Sequence, residues 1–228
     1  MNKLQKLQIK KLIYRYKRYK LMNKLQKLQI KKINYLHYDL GLSLINTTTD
    51  YSKYLIFPGS FNPIHEGHLK LLKYGLAITG FSKKPVFEIS FKNVDKPDLS
   101  LEEVSKRMNQ FKSIGGELLV TNEATFLGKS VLFKGADFLI GGDTLARLFD
   151  DKYYNSDMNS NKIIDQFIYL KKSGTKFIVG GRTIDGKFVN VDNVFIPDEI
   201  KEMFIGIPRK MFESNMSSNK IRKQMEKK

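Results

Sequence analysis

Two of the chain's three histidines, His65 and His68, stand three residues apart with Gly67 between them. Imidazole can offer an N–H donor in neutral or charged form near pH 7. The intervening glycine lets a ligand approach the main chain closely. The stretch Gly59-Ser60-Phe61-Asn62-Pro63-Ile64 leads into this pair. Chemically, this spacing suits a phosphate cradle in which backbone N–H groups and two imidazoles converge on one anion. A helix start whose histidines only cap and pack is the competing reading.

Positioning such a cradle requires a strand before it and a helix after it. Tyr54-Leu55-Ile56-Phe57 is a short apolar run suited to a buried strand, and Leu69, Leu71, Leu72 and Leu76 suit the buried face of an opening helix. Strands are expected near 54–57, 86–91, 117–120, 137–140 and 176–179. Helical patterns are expected near 66–80, 100–113, 144–150, 161–172 and 218–227. Their alternation predicts an α/β fold, a parallel sheet with crossover helices on both faces. Ligands then sit at the carboxyl edge of the strands. Three further segments reach that edge. Phe138-Leu139-Ile140-Gly141-Gly142-Asp143 ends a strand on a carboxylate suited to two sugar hydroxyls, or to capping the next helix. Phe177 to Arg182 reads as the last core strand, delivering an Arg to the cleft. Ser217 and Ser218 precede Arg222, with Ser218 suited to cap a last helix and Arg222 one turn in, aimed at the same anion. Asp185-Gly186 reads as a tight turn and 150–161 as a polar loop.

Gly59 to His68 resembles the signature of the nucleotidyltransferase superfamily that includes nicotinamide-nucleotide adenylyltransferases, pantetheine-phosphate adenylyltransferase and small cytidylyltransferases. Met216-Ser217-Ser218-Asn219-Lys220-Ile221-Arg222 is similar to that superfamily's closing Ile-Ser-Ser-Thr-x-Ile-Arg, with Asn219 where Thr is usual. The tract-by-tract match is nearest to cytidylyltransferase-like or nicotinamide-nucleotide adenylyltransferase-like proteins of plants and fungi. It rests on Phe87-Glu88-Ile89-Ser90, Asp95-Lys96-Pro97, Gly142-Asp143-Thr144, Asp151-Lys152-Tyr153-Tyr154 and Gly181-Arg182, and covers about Tyr54 to Lys223. The resemblance implies a Rossmann-like parallel sheet and transfer of a nucleotidyl group from a nucleoside triphosphate. It assigns His65 and His68 to the phosphate oxygens around the reacting phosphorus. Gly59, Ser60 and the Phe61 backbone would cradle phosphate. Ser217, Ser218, Arg222 and Lys96 would hold the β/γ end, and Gly141 and Asp143 the ribose. Arg107 resembles an Arg of the helix that follows. ATP is the expected donor, nicotinamide mononucleotide the expected acceptor, and NAD and pyrophosphate the products. Mg²⁺ would be held by substrate oxygens and water rather than by dedicated protein ligands. The chain has no Trp to stack a pyridine ring, leaving Tyr153, Tyr154, Phe126 or Phe91 as substitutes.

With 228 residues and 41% hydrophobic content, one sizeable domain is expected. The absence of cysteine excludes disulfides, thiol nucleophiles and thiolate zinc sites, and agrees with a reducing, cytoplasmic setting. No apolar run approaches a membrane span. Met1 to Lys11 recurs letter for letter as Met22 to Lys32, and the first 33 residues carry 12 Lys/Arg and no Asp/Glu. Most of the net charge of +17 therefore belongs to this tract. Residues 1–50 are expected to be a basic, flexible extension, and 51–228 the nucleotidyltransferase domain. Three roles fit the extension: none, binding to an anionic membrane or nucleic acid, or mitochondrial targeting. A homo-oligomer is also compatible. Three alternatives to adenylyl transfer stand: a cytidylyltransferase using CTP and an alcohol phosphate, a non-catalytic nucleotide-binding protein, and a fragment of a class I aminoacyl-tRNA synthetase.

Overall fold

The computed structural model describes residues 3–94, 97–148, 160–184, 186–213, 218 and 221–222. Six strands run parallel: β2 (Tyr54–Pro58), β3 (Lys84–Ser90), β4 (Glu117–Thr121), β5 (Asp137–Gly141), β6 (Phe177–Gly180) and β9 (Phe204–Ile207). A seventh, β1 (Tyr35–Tyr38), lies antiparallel on the edge against β4. The order across the sheet is β1-β4-β3-β2-β5-β6-β9. Counting the parallel strands alone, this is the 3-2-1-4-5-6 order of the Rossmann fold. The chain turns in opposite directions after β2 and after β5. A crevice must open where those two strands neighbour each other.

Strand composition explains why both faces are covered. Leu55, Phe57, Phe87 and Ile89 enter one core cluster, while Ile56, between Leu55 and Phe57, and Val86, just before Phe87, enter the other. Period-2 alternation with apolar residues on both sides is what a parallel sheet buried on two faces requires. The first face is closed by α2 (Glu66–Ile78) through Leu71 and by α3 (Leu101–Ile114) through Val104, Met108 and Phe111. On the second face lie α4 (Phe126–Leu132), α5 (Gly142–Leu148), α6 (Ser160–Lys172) and α7 (Asp198–Lys201), with Leu145, Phe167, Leu170 and Ile200 buried. Ser100 and Glu103 form a reciprocal capping box that starts α3: the Glu103 N–H donates to Ser100 Oγ at 3.2 Å and the Ser100 N–H to Glu103 Oε2 at 3.0 Å. A small hairpin pairs β7 (Arg182–Ile184) with β8 (Lys187–Val189), with Gly186 at φ 79°, as the expected turn requires.

Two expectations are corrected. First, β6 is not the last core strand. Phe204-Ile205-Gly206-Ile207 follows it as β9 and seals the sheet edge with Phe204 and Ile207 buried. Second, residues 1–50 are not an extension throughout. Helix α1 (Lys3–Gln29) is exposed over residues 5–20, but Leu25 and Leu28 are 0% exposed in the core cluster shared with α3. Asn122 Nδ2 donates to the Gln29 carbonyl at 3.2 Å, and β1 then joins the sheet. A helix with no apolar stripe gains stability mainly from tertiary packing. The second copy of the repeat finds that packing, and residues 5–11 of the first do not. No helix among the described residues is long and apolar enough to cross a membrane.

Candidate active site

The carboxyl edges of β2, β3, β5 and β6 open on a cleft of about 1100 Å³. His65, His68, Gly59, Ser60, Gly141, Asp143, Ser218 and Arg222 all line it, although they are drawn from both ends of the domain. Arg107 and Arg182 line it as well. Lys96 and Ser217, and Tyr153 and Tyr154, lie outside the described residues. Phe61 is the exception. Its ring is 0% exposed and sits edge-on to Phe57, Phe87 and Phe111, so it anchors the loop from below and does not line the cleft. Phe61 also takes φ 40°, a conformation its burial holds in place. Among the expected aromatic platforms, Phe126 lines the cleft, whereas Phe91 is in the core.

The loop between β2 and α2 is held by side chains at four successive carbonyls. Ser60 O accepts from Arg107 Nη1 at 3.0 Å, and Phe61 O from Gln110 Nε2 at 2.9 Å. Asn62 O accepts from Arg222 Nη1, and Pro63 O from Ser218 Oγ at 2.9 Å. Gln110 also accepts the Ile64 N–H at 2.9 Å. The Asn62–Pro63 peptide is cis. Carbonyl oxygens would repel phosphate, and occupying all four with donors removes that negative edge from the loop. Gly59 must be glycine here: a Cβ at that position would lie 2.6 Å from the Phe61 ring. Ser218, expected as a helix cap, thus uses its hydroxyl to tether the terminal segment to the cradle. Gln110 was missed by the sequence reading, because a glutamine one turn beyond Arg107 carries no motif of its own.

His65 precedes α2 and His68 sits in its first turn, with their rings stacked at a centroid distance of 3.7 Å. The His65 N–H donates to His68 Nδ1 at 3.2 Å. That contact uses the Nδ1 lone pair, so the neutral His68 ring carries its proton on Nε2. Burial lowers the His68 pKa to about 3, helped by the neighbouring His65 and Arg182. Burial, then Arg182, also lowers His65. Both rings are therefore neutral N–H donors at pH 7. His65 Nδ1 is buried without a hydrogen-bond partner among the described residues.

The linkage has a definite sign. In the unfolded chain His68 gains a proton below about pH 6.5, whereas the folded chain resists it down to about pH 3. The unfolded state then binds more protons, so stability is full above pH 6.5 and falls as the pH drops toward 3. Urea unfolding should show a loss on the order of 2 kcal/mol between pH 7 and pH 4.5 from this residue, discounted for partial solvent access. His68→Gln should flatten that part of the profile. An equal acid slope in wild type and variant would contradict it.

Charge in the cleft is uneven. Among the described residues, Lys92, Arg107, Lys129, Arg147, Arg182 and Arg222 line it against only Glu88 and Asp143, an excess that favours a polyanionic ligand. Asp143 opens α5, with its oxygens 3.5 Å from Arg182 and 3.7 Å from Arg147. Burial lowers the pKa of Arg107; Glu103 opposes the shift and Arg222 adds to it. Arg107, matched to a family Arg in the sequence, is thus a wall of the cleft.

Residues 56–224 match the profile of the cytidylyltransferase-like family, most of the chain. The chain belongs to this family. The chain is also similar to phosphopantetheine adenylyltransferases of several bacteria. That of Mycoplasma capricolum subsp. capricolum is 36% identical over 93 residues, covering 40% of this chain and 63% of that protein. That of Prochlorococcus marinus is 32% identical over 114 residues, covering 49% and 68%. That of Francisella philomiragia subsp. philomiragia is 29% identical over 132 residues, covering 54% and 74%. The chain therefore spans less than two thirds of the Mycoplasma relative. These relatives are named for phosphopantetheine, not for the nicotinamide mononucleotide expected from the sequence.

Proposed function

We propose that this cytidylyltransferase-like chain transfers AMP from ATP to the phosphate of a small acceptor and releases pyrophosphate. One observation carries this reading: two neutral imidazoles, the guanidinium groups of Arg107 and Arg222, and a loop with its carbonyls already occupied line a single cleft. An acceptor phosphate oxygen attacks the α-phosphorus, the bond from that phosphorus to the bridging oxygen breaks, and its electron pair leaves on pyrophosphate. Such a step needs positioning and donors for the growing charge, with no covalent enzyme intermediate. His65 and His68 would donate to oxygens around the reacting phosphorus. Arg222, with Ser218, Ser217 and Lys96, would hold the β/γ end, and Gly59 and Ser60 would cradle phosphate. Gly141 permits close approach of the sugar, whose hydroxyls Asp143 would accept. Mg²⁺ would be held by the phosphate oxygens of ATP and water, and would supply neutralisation of their charge.

Two acceptors suit this chemistry. The relatives' names favour phosphopantetheine, and the resemblance of Gly142-Asp143-Thr144 and Gly181-Arg182 favours nicotinamide mononucleotide. Both are phosphate monoesters that also bear an amide. The purified chain should be incubated with Mg²⁺, either ATP or CTP, and each acceptor, and the products identified by mass. An AMP adduct with equimolar pyrophosphate is expected. A CMP adduct alone would replace this reading with cytidylyl transfer, and bound nucleotide without product would replace it with a non-catalytic role.

Two partner proposals remain apart from the cleft. The exposed basic stretch over residues 5–20, with Leu12 69% and Tyr14 67% exposed, is a candidate surface for an anionic partner. Association with a second copy of the chain is the other.

A further inference from the structure

Along β3, Val86 enters the second-face core, Phe87 and Ile89 the first, and Glu88 falls where the second-face pattern calls for an apolar side chain. It is 1% exposed. Lys129 of α4, 7% exposed, places Nζ 3.2 Å from Glu88 Oε2, and Thr121 Oγ1 at the end of β4 donates to Glu88 Oε1. Lys129 also stands over the Phe126 ring, 5.6 Å from its centroid. Burying both members of an ion pair is costly, and an apolar pair of similar volume is often at least as stable. Packing alone therefore gives little reason for this pair.

Its location supplies another reason. Glu88 and Lys129 both line the cleft. The Gly59 N–H, at the start of the phosphate loop, donates to the Glu88 carbonyl at 3.0 Å. The pair thus borders the cradle on the β3–β4 side, whereas Asp143 and Arg182 stand on the β5–β6 side. An ammonium and a carboxylate side by side offer donors and acceptors together. Their complement is a group that also carries both, and an amide does so through its C=O and N–H. A carboxylate in its place would face Glu88 and be repelled.

We propose that Glu88 and Lys129 are specificity residues that bind the amide of the acceptor, with Lys129 donating to its oxygen and Glu88 accepting its N–H. This rests on the adenylyl-transfer reading and adds to it a class of acceptor: a phosphate monoester bearing an amide. Adenine also has a paired donor and acceptor edge, so the experiment must separate acceptor from ATP.

Wild type is first assayed for AMP transfer to nicotinamide mononucleotide, nicotinic acid mononucleotide and phosphopantetheine. Initial rates are then measured for Glu88→Gln and Lys129→Gln, varying acceptor and ATP separately. For the amide-bearing acceptor that wild type uses, each variant should raise KM at least about tenfold while KM for ATP stays within about twofold, the loss of a buried hydrogen bond to a charged group. If that acceptor is the nicotinamide compound, Glu88→Gln should also raise the relative use of the nicotinic acid compound about tenfold. Should Glu88→Gln fail to fold, Lys129→Gln leaves Glu88 held by Thr121 and reads the same split. A rise in KM for ATP, a fall in kcat alone, or an unchanged KM for acceptor overturns the inference and leaves adenylyl transfer standing. No wild-type transfer to any acceptor overturns both.

Discussion

His68→Ala should lower kcat by about 10²–10³ while leaving the fold intact, the cost of losing one preorganised donor to the developing charge. The ring is held on three sides. Its Nδ1 accepts the His65 N–H, its face stacks on His65, and its edge meets Phe57 and Phe61. Only Nε2–H is left to act on a ligand. Because burial keeps this imidazole neutral down to about pH 3, it serves as a donor and not as a titrating acid in the working range. Transfer measured in steady state, beside urea unfolding at pH 7, checks both halves of the claim. Turnover within a few-fold of wild type would remove His68 from the reaction.

Arg222→Gln is expected to reduce kcat/KM for ATP by about 10²-fold, consistent with losing a charge-assisted contact of about 1.5–3 kcal/mol. Arg222 bonds the Asn62 carbonyl and lines the cleft. It therefore both secures the loop and adds positive charge to the cleft. Gln retains one donor for the carbonyl but removes the charge. Arg222→Lys restores the charge without the planar fork, so it should recover part of the loss. If Gln and Lys variants are equally impaired, loop support and not charge is the residue's contribution. If neither is impaired, the residue has no part in ATP use.

The sequence made the cradle readable because its residues are local: a strand, a loop and a helix start in fifteen positions need no long-range information. The same holds for β3, β4, β5 and β6, whose apolar runs are unbroken or nearly so. What stayed hidden depended on neighbours distant in the chain. Phe204-Ile205-Gly206-Ile207 has a glycine inside four residues, and only pairing with β6 makes it a strand. Tyr35-Leu36-His37-Tyr38 includes a histidine that is buried because Glu117 and the Tyr51 hydroxyl bond its two nitrogens. The repeat gives the plainest case. Leu7 and Leu28 occupy the same place in identical eleven-residue segments, yet one is 50% exposed and the other 0%. No local pattern can distinguish them; α3 does. Phe61 was read as part of the cradle for its backbone, whereas its ring supports the cradle from the core. Glu88 did leave a signal, a carboxylate inside an apolar strand, but its partner Lys129 lies forty-one residues away.

The tether between Ser218, Arg222 and the carbonyls of residues 62 and 63 couples two equilibria that would otherwise be separate. A triphosphate that prefers the occupied, guanidinium-backed loop must also favour the seated terminus, and by the same free energy the seated terminus tightens the grip on triphosphate. In such a latch Ser218 and Arg222 would be effectors of the loop they hold, each hydrogen bond weighing on ligand affinity from the far end of the domain.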